Sequence, residues 1–97
     1  MDRLYVLKNL DVDALSITSE SENSALLLMQ DATYALNESR EESRLVRKIL
    51  GKGKPVYYLG RDAERRGLTG KLVEGAQPLE IEGMVDLLFG GARVINV

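Results

Sequence analysis

Short apolar runs recur along the chain, and polar or glycine-bearing stretches separate them. Leu4-Tyr5-Val6-Leu7 reads as a first strand ending at Lys8-Asn9, and Asp11 to Thr18 as a short helix with Val12, Leu15 and Ala14 inward. Ser19-Glu20-Ser21-Glu22-Asn23 is a solvated loop. Ser24 to Gln30 then forms a second strand whose unbroken apolar side chains must point both ways, so it belongs in the middle of a sheet. From Ala32 a helical pattern runs to about Leu50, interrupted at Asn37–Arg44, where no residue is apolar. Gly51-Lys52-Gly53-Lys54-Pro55 stops it.

Val56-Tyr57-Tyr58-Leu59 is the third strand, and Asp62 is expected to cap a short helix that Gly67 ends. Leu79-Glu80-Ile81 reads as a short fourth strand, Gly83–Phe89 as an apolar-faced helix, and Ala92–Val97 as a fifth strand. Strands alternating with helices predict a single α/β domain, with a mainly parallel sheet of about five strands and helices on both faces. The expected layering and strand order are flavodoxin-like.

Composition narrows the function more than the fold. The 97 residues suffice for one core and not two, and a domain of this size buries only roughly 60–65% of its unfolded surface. Docking onto another subunit would therefore help it. A net charge of −2 argues against an extended nucleic-acid groove. No run approaches the ~20 apolar residues of a membrane span, and the N-terminus is too quickly polar for a signal peptide, so the cytoplasm is the expected location.

There is no cysteine and no histidine. Disulfides, thiolate chemistry and thiolate metal sites are excluded, and no metal or cofactor is expected. Ser16, Ser19, Ser24, Ser39 and Ser43 lack any imidazole to activate them, and no Gly-x-Ser-x-Gly elbow is present. Carboxylate pairs such as Asp11/Asp13 and Glu80/Glu82 read as loop and capping residues. An enzyme acting alone is the least favoured class.

Candidate binding residues lie where two strands end. Gln30-Asp31 and Gly60-Arg61-Asp62 occupy strand C-termini, the edge at which open α/β sheets place ligands. Tyr34 could face the same rim. Asp31 and Asp62 are more simply helix caps. Gly51–Lys54 follows a helix and precedes a strand, the reverse of a phosphate loop, and so reads as a helix stop. Arg40, Arg44, Arg47 and Lys48 interleave with Glu38, Glu41 and Glu42, which fits a salt-bridged solvent face. Met84, Val85, Leu87, Leu88 and Phe89 supply more apolar surface than one core-facing stripe requires, which makes Leu88 a candidate interface residue.

Taken together, Ala25–Leu36, Val56–Asp62 with Arg66-Gly67-Leu68-Thr69, and Leu79–Leu88 resemble the DsrH/TusB group of sulfur-relay proteins. The resemblance implies a small fold of the DsrE/DsrF/DsrH type and assembly with DsrE-like (TusD-like) and DsrF-like (TusC-like) subunits. It implies persulfide transfer between proteins, toward wobble-uridine thiolation of tRNA or in sulfur oxidation. Some members carry a cysteine on the helix before the second strand. Counting back from Asp31 without gaps, Ser16 stands there in this chain. A hydroxyl cannot carry a transferable sulfane sulfur. The expectation is a non-catalytic subunit beside a cysteine-bearing partner. The alternative is a stand-alone homo-oligomeric module that binds a small anion or nucleotide at the Gln30/Asp31/Gly60 rim.

Overall fold

Alternation decides which way each strand side chain points. In the computed structural model, which describes residues 1–97, β1 (Arg3–Leu7) sends Tyr5 and Leu7 to one face of the sheet and Leu4 and Val6 to the other. β2 (Ser24–Leu28) does the same with Leu26 and Leu28 against Ala25 and Leu27, and all five of its residues are buried. β3 (Val56–Leu59) contributes Val56 and Tyr58 to the first face and Tyr57 to the second. Two shorter strands, β4 (Gln77–Leu79) and β5 (Arg93–Asn96), complete a five-stranded sheet that is parallel throughout.

The strand order is β4-β3-β2-β1-β5, which corrects the flavodoxin-like order expected from the sequence. A flavodoxin order would leave the second strand at an edge. Leu26, Leu27 and Leu28 are fully buried and need neighbours on both sides, and β1 and β3 supply them. The half-buried β5 takes the edge beside β1 instead.

From β1 to β4 the chain steps across the sheet in one direction, so right-handed crossovers place their helices on one face. These are α1 (Val12–Glu20), a 3₁₀ helix (Gln30–Leu36), α2 (Ser43–Gly51) and α3 (Gly60–Arg65). The return from β4 to β5 reverses the direction and carries α4 (Ile81–Leu88) over the opposite face. Helices thus cover both faces, as expected, but very unequally.

Several local expectations change. Asp11 caps α1 by accepting the Ala14 N–H at 3.2 Å, but Val12 faces solvent, and Ala14, Leu15, Thr18 and Ser19 are the buried residues. Thr18 is accommodated because its hydroxyl donates to the Ala14 carbonyl. The helix after β2 is a 3₁₀ helix, because the Thr33 hydroxyl takes the Gln30 carbonyl at 2.7 Å, an i−3 contact that competes with α-helical bonding. β4 begins two residues earlier than expected and includes Pro78, which an edge strand tolerates. At the stop after α2, Gly53 takes a left-handed φ of 78°, and the ammonium groups of Lys52 and Lys54 turn back to the Ser19 carbonyl at the end of α1. Cations there complement a helix C-terminus.

Candidate functional site

The site is built around the turn that follows β2. Gln30 has a left-handed φ of 48°, which is uncommon for a residue with a side chain. The cost is met by two short hydrogen bonds. Its N–H donates to Asp62 Oδ2 at 2.7 Å, and its carbonyl accepts from Thr33. Asp62 lies in the first turn of α3 and is only 6% exposed. Its carboxylate therefore satisfies a free donor at the start of a neighbouring helix rather than capping its own.

Asp31 is not a cap either. Its carboxylate leaves the 3₁₀ helix and pairs with Arg66, whose Nε and Nη2 both lie 2.9 Å from Oδ1. Arg66 Nη1 also donates to the Asp62 carbonyl at 3.1 Å, so one guanidinium ties the two turns together. Tyr34 stands half-buried between two cations. The Arg66 and Arg40 guanidinium carbons lie 5.9 and 5.8 Å from its ring centroid. Such contacts are worth about 0.5–1 kcal/mol each where exposed.

Gln30, Asp31 and Tyr34 thus meet, with Asp62, Arg65 and Arg66, around an open depression of about 510 Å³. Gly60 and Arg61 do not share it. They line a separate hollow of about 670 Å³ between the ends of β3 and β4, with Glu64, Leu79, Glu80 and Glu82. This is where α3 and α4 depart to opposite faces, the switch point of the sheet. The single rim expected from the sequence is therefore two adjoining places.

Ser16 belongs to neither. It is exposed on α1, beside Tyr5, Ile17, Glu20 and Ser21. Leu88 lies on the far face and is half-buried, packed against the sheet cluster of Leu4, Val6, Ala25 and Leu27. The outward apolar residues of α4 are Ile81, Val85 and Phe89. The contacts of Arg40 and Arg66 with Tyr34 had no local signal in the sequence.

Chemically the buried part of the rim is self-satisfied. Every buried side-chain nitrogen and oxygen has a hydrogen-bond partner. No three of the chain's carboxylates gather as a metal cluster would require. The one clearly displaced titration is that of Tyr58, whose phenol burial pushes above the usual value. On α2 and the turn before it, Arg40 pairs with Glu42, Arg44 with Glu41, and Lys48 with Glu20 across to α1. No helix is long and apolar enough to cross a membrane.

Solved structures share this architecture at low identity. The ychN protein from E. coli superposes with a TM-score of 0.83 at 15% identity, covering 100% of both chains. The MTH1491 protein of Methanobacterium thermoautotrophicum gives 0.74 at 15%, covering 98% of this chain and 97% of its own. The BT1422 protein of Bacteroides thetaiotaomicron gives 0.75 at 13%, covering 99% and 95%. These likenesses establish the fold. No curated protein sequence matches the chain. The sequence model of one family, described as DsrH like protein, matches residues 8–93. With that match spanning nearly the whole chain and the fold in agreement, the chain belongs to the DsrH family.

Proposed function

We propose that this chain is a non-catalytic subunit of a sulfur-relay complex, supporting a cysteine-bearing partner in persulfide transfer. The carrying observation is family membership combined with the lack of any cysteine. A persulfide needs a thiolate to receive the sulfane sulfur and to release it by exchange. Ser16, at the position where the family resemblance puts a cysteine in some members, offers only an unactivated hydroxyl. The partners on this reading are DsrE-like (TusD-like) and DsrF-like (TusC-like) subunits, and the relay serves tRNA wobble-uridine thiolation or sulfur oxidation.

The rim supports a scaffolding role over a ligand-binding one. An anion at the Gln30 turn would compete with the Asp62 carboxylate already bonded to that N–H, and it would face Asp31 as well. At the switch point, Glu64, Glu80 and Glu82 surround the single Arg61. At both places an anion would thus meet more carboxylates than unengaged guanidinium groups, Asp31 and Asp62 against Arg65 at the first and three glutamates against Arg61 at the second.

The test is native mass measurement of the tagged chain recovered from its own cells at endogenous level. A hetero-complex containing a cysteine-bearing DsrE-like subunit is expected. A chain that is strictly solitary, or associated only with itself, contradicts the proposal.

A further inference from the structure

Residues of α4 advance about 100° around the helix axis each, so their angular order follows from their numbers. Met84, Leu87 and Leu88 form the inner arc against the sheet. Ile81, Val85 and Phe89 come next, four residues apart, and are 44%, 41% and 84% exposed. Glu82 and Asp86 follow as an exposed acidic ridge. The apolar arc therefore spans roughly 200°, about twice the width a core-facing helix needs. Sequence around the helix carries one sign of charge. Between Leu72 and Ala92 there are four acidic residues (Glu74, Glu80, Glu82 and Asp86) and no basic one. The stripe and the ridge both run into the switch-point hollow, because Ile81 of the one and Glu82 of the other line it.

We infer that this surface docks a different polypeptide, one presenting an aliphatic or aromatic centre flanked by lysine or arginine. The apolar centre covers Ile81, Val85 and Phe89. With three carboxylates (Glu64, Glu80 and Glu82) against the one guanidinium of Arg61, the hollow is net acidic and takes a basic side chain, while further basic residues meet the Glu82/Asp86 ridge. Charge argues against a second copy packed antiparallel as the occupant. In an antiparallel, two-fold contact between two α4 helices, each acidic ridge would face its own counterpart. The inference rests on the proposed hetero-complex and specifies which face of this chain is used and what chemistry meets it.

Two variants separate the possibilities in the complex recovered from native cells. Val85→Ser/Phe89→Ser removes the apolar centre, and Glu82→Lys/Asp86→Lys reverses the ridge. Each is expected to lower the yield of complex about tenfold or more while leaving the melting temperature of the isolated chain within a few degrees. A photo-crosslinker at position 89 of the otherwise wild-type chain is expected to capture a partner peptide containing lysine or arginine. It provides the readout should either variant fold poorly. Full yield of complex from both variants overturns the inference and leaves the subunit reading standing, as does a crosslink to an acidic peptide or to none. Crosslinking to a second copy, with a homodimer that Phe89→Ser dissociates, overturns it in favour of self-association. Absence of any wild-type complex overturns the subunit reading together with the inference.

Discussion

The two faces of the sheet are built to different standards. On one face, α1, the 3₁₀ helix, α2 and α3 enclose a cluster of 16 buried residues, with Leu15, Leu26, Leu28, Leu36, Val46, Ile49 and Val56 fully hidden. On the other, α4 alone covers Leu4, Val6, Ala25 and Leu27, and no residue of α4 is itself buried. The sheet residues beneath are nonetheless shielded, so the helix protects them while leaving its own flank open. Cohesion is concentrated on the many-helix face. The single-helix face retains apolar surface whose burial requires something from outside the chain.

That contrast can be broken most forcefully from the cohesive side. Leu26→Ala is expected to cost about 2–5 kcal/mol, the range for a buried leucine whose cavity does not collapse, which denaturant melts would measure. The Val85→Ser/Phe89→Ser pair should change the same midpoint by less than about 0.5 kcal/mol each, since both positions face solvent. A comparable loss from both faces would erase the distinction.

Asp62→Ala probes the lock between the two turns. It strands the Gln30 N–H and withdraws support from a left-handed backbone, with an expected loss of about 1–3 kcal/mol. Gln30→Gly should act in the opposite direction. Glycine adopts that φ without a side-chain penalty, so stability is expected to hold or rise by up to about 1 kcal/mol. Destabilisation by Gln30→Gly would mean that the side chain, not the backbone, is what the turn needs.

The smallest effect concerns pH. Burial raises the Tyr58 phenol above its usual value of 10.0, so the unfolded chain loses this proton first as pH climbs. The stabilising contribution is complete below pH 10 and declines as pH rises through the folded-state value. Tyr58→Phe should make the alkaline melting curve shallower. An unchanged alkaline slope would place Tyr58 in a wetter environment than its position facing the many-helix side implies.

Strand identity was legible because Leu4–Leu7, Ala25–Leu28 and Val56–Leu59 are apolar runs with clear polar borders. Strand order was less so, although the demand of β2 for two neighbours already contradicts a flavodoxin order. β4 was misplaced because Gln77-Pro78 has the composition of a loop, and only its pairing with Tyr57 and Tyr58 makes it a strand. At the rim, Gln30, Asp31 and Asp62 are legible as strand-end residues, but the cap role read for Asp31 and Asp62 is not what their carboxylates do. The contacts that define them join residues 32 and 35 positions apart, and local pattern carries no trace of such pairs. Leu88, expected at an interface, packs against the sheet instead. The twist of α4 turns it inward and turns Val85 and Phe89 outward.

On the proposed reading, this chain assists sulfur transfer without carrying sulfur. The most direct test of that reading compares the rate at which the cysteine-bearing partner accepts and passes on a sulfane sulfur, with this chain in the complex and without it. A substantially slower or less complete transfer in its absence is expected, with no sulfur label ever on this chain. Equal rates with and without it, or label on this polypeptide itself, would contradict the account.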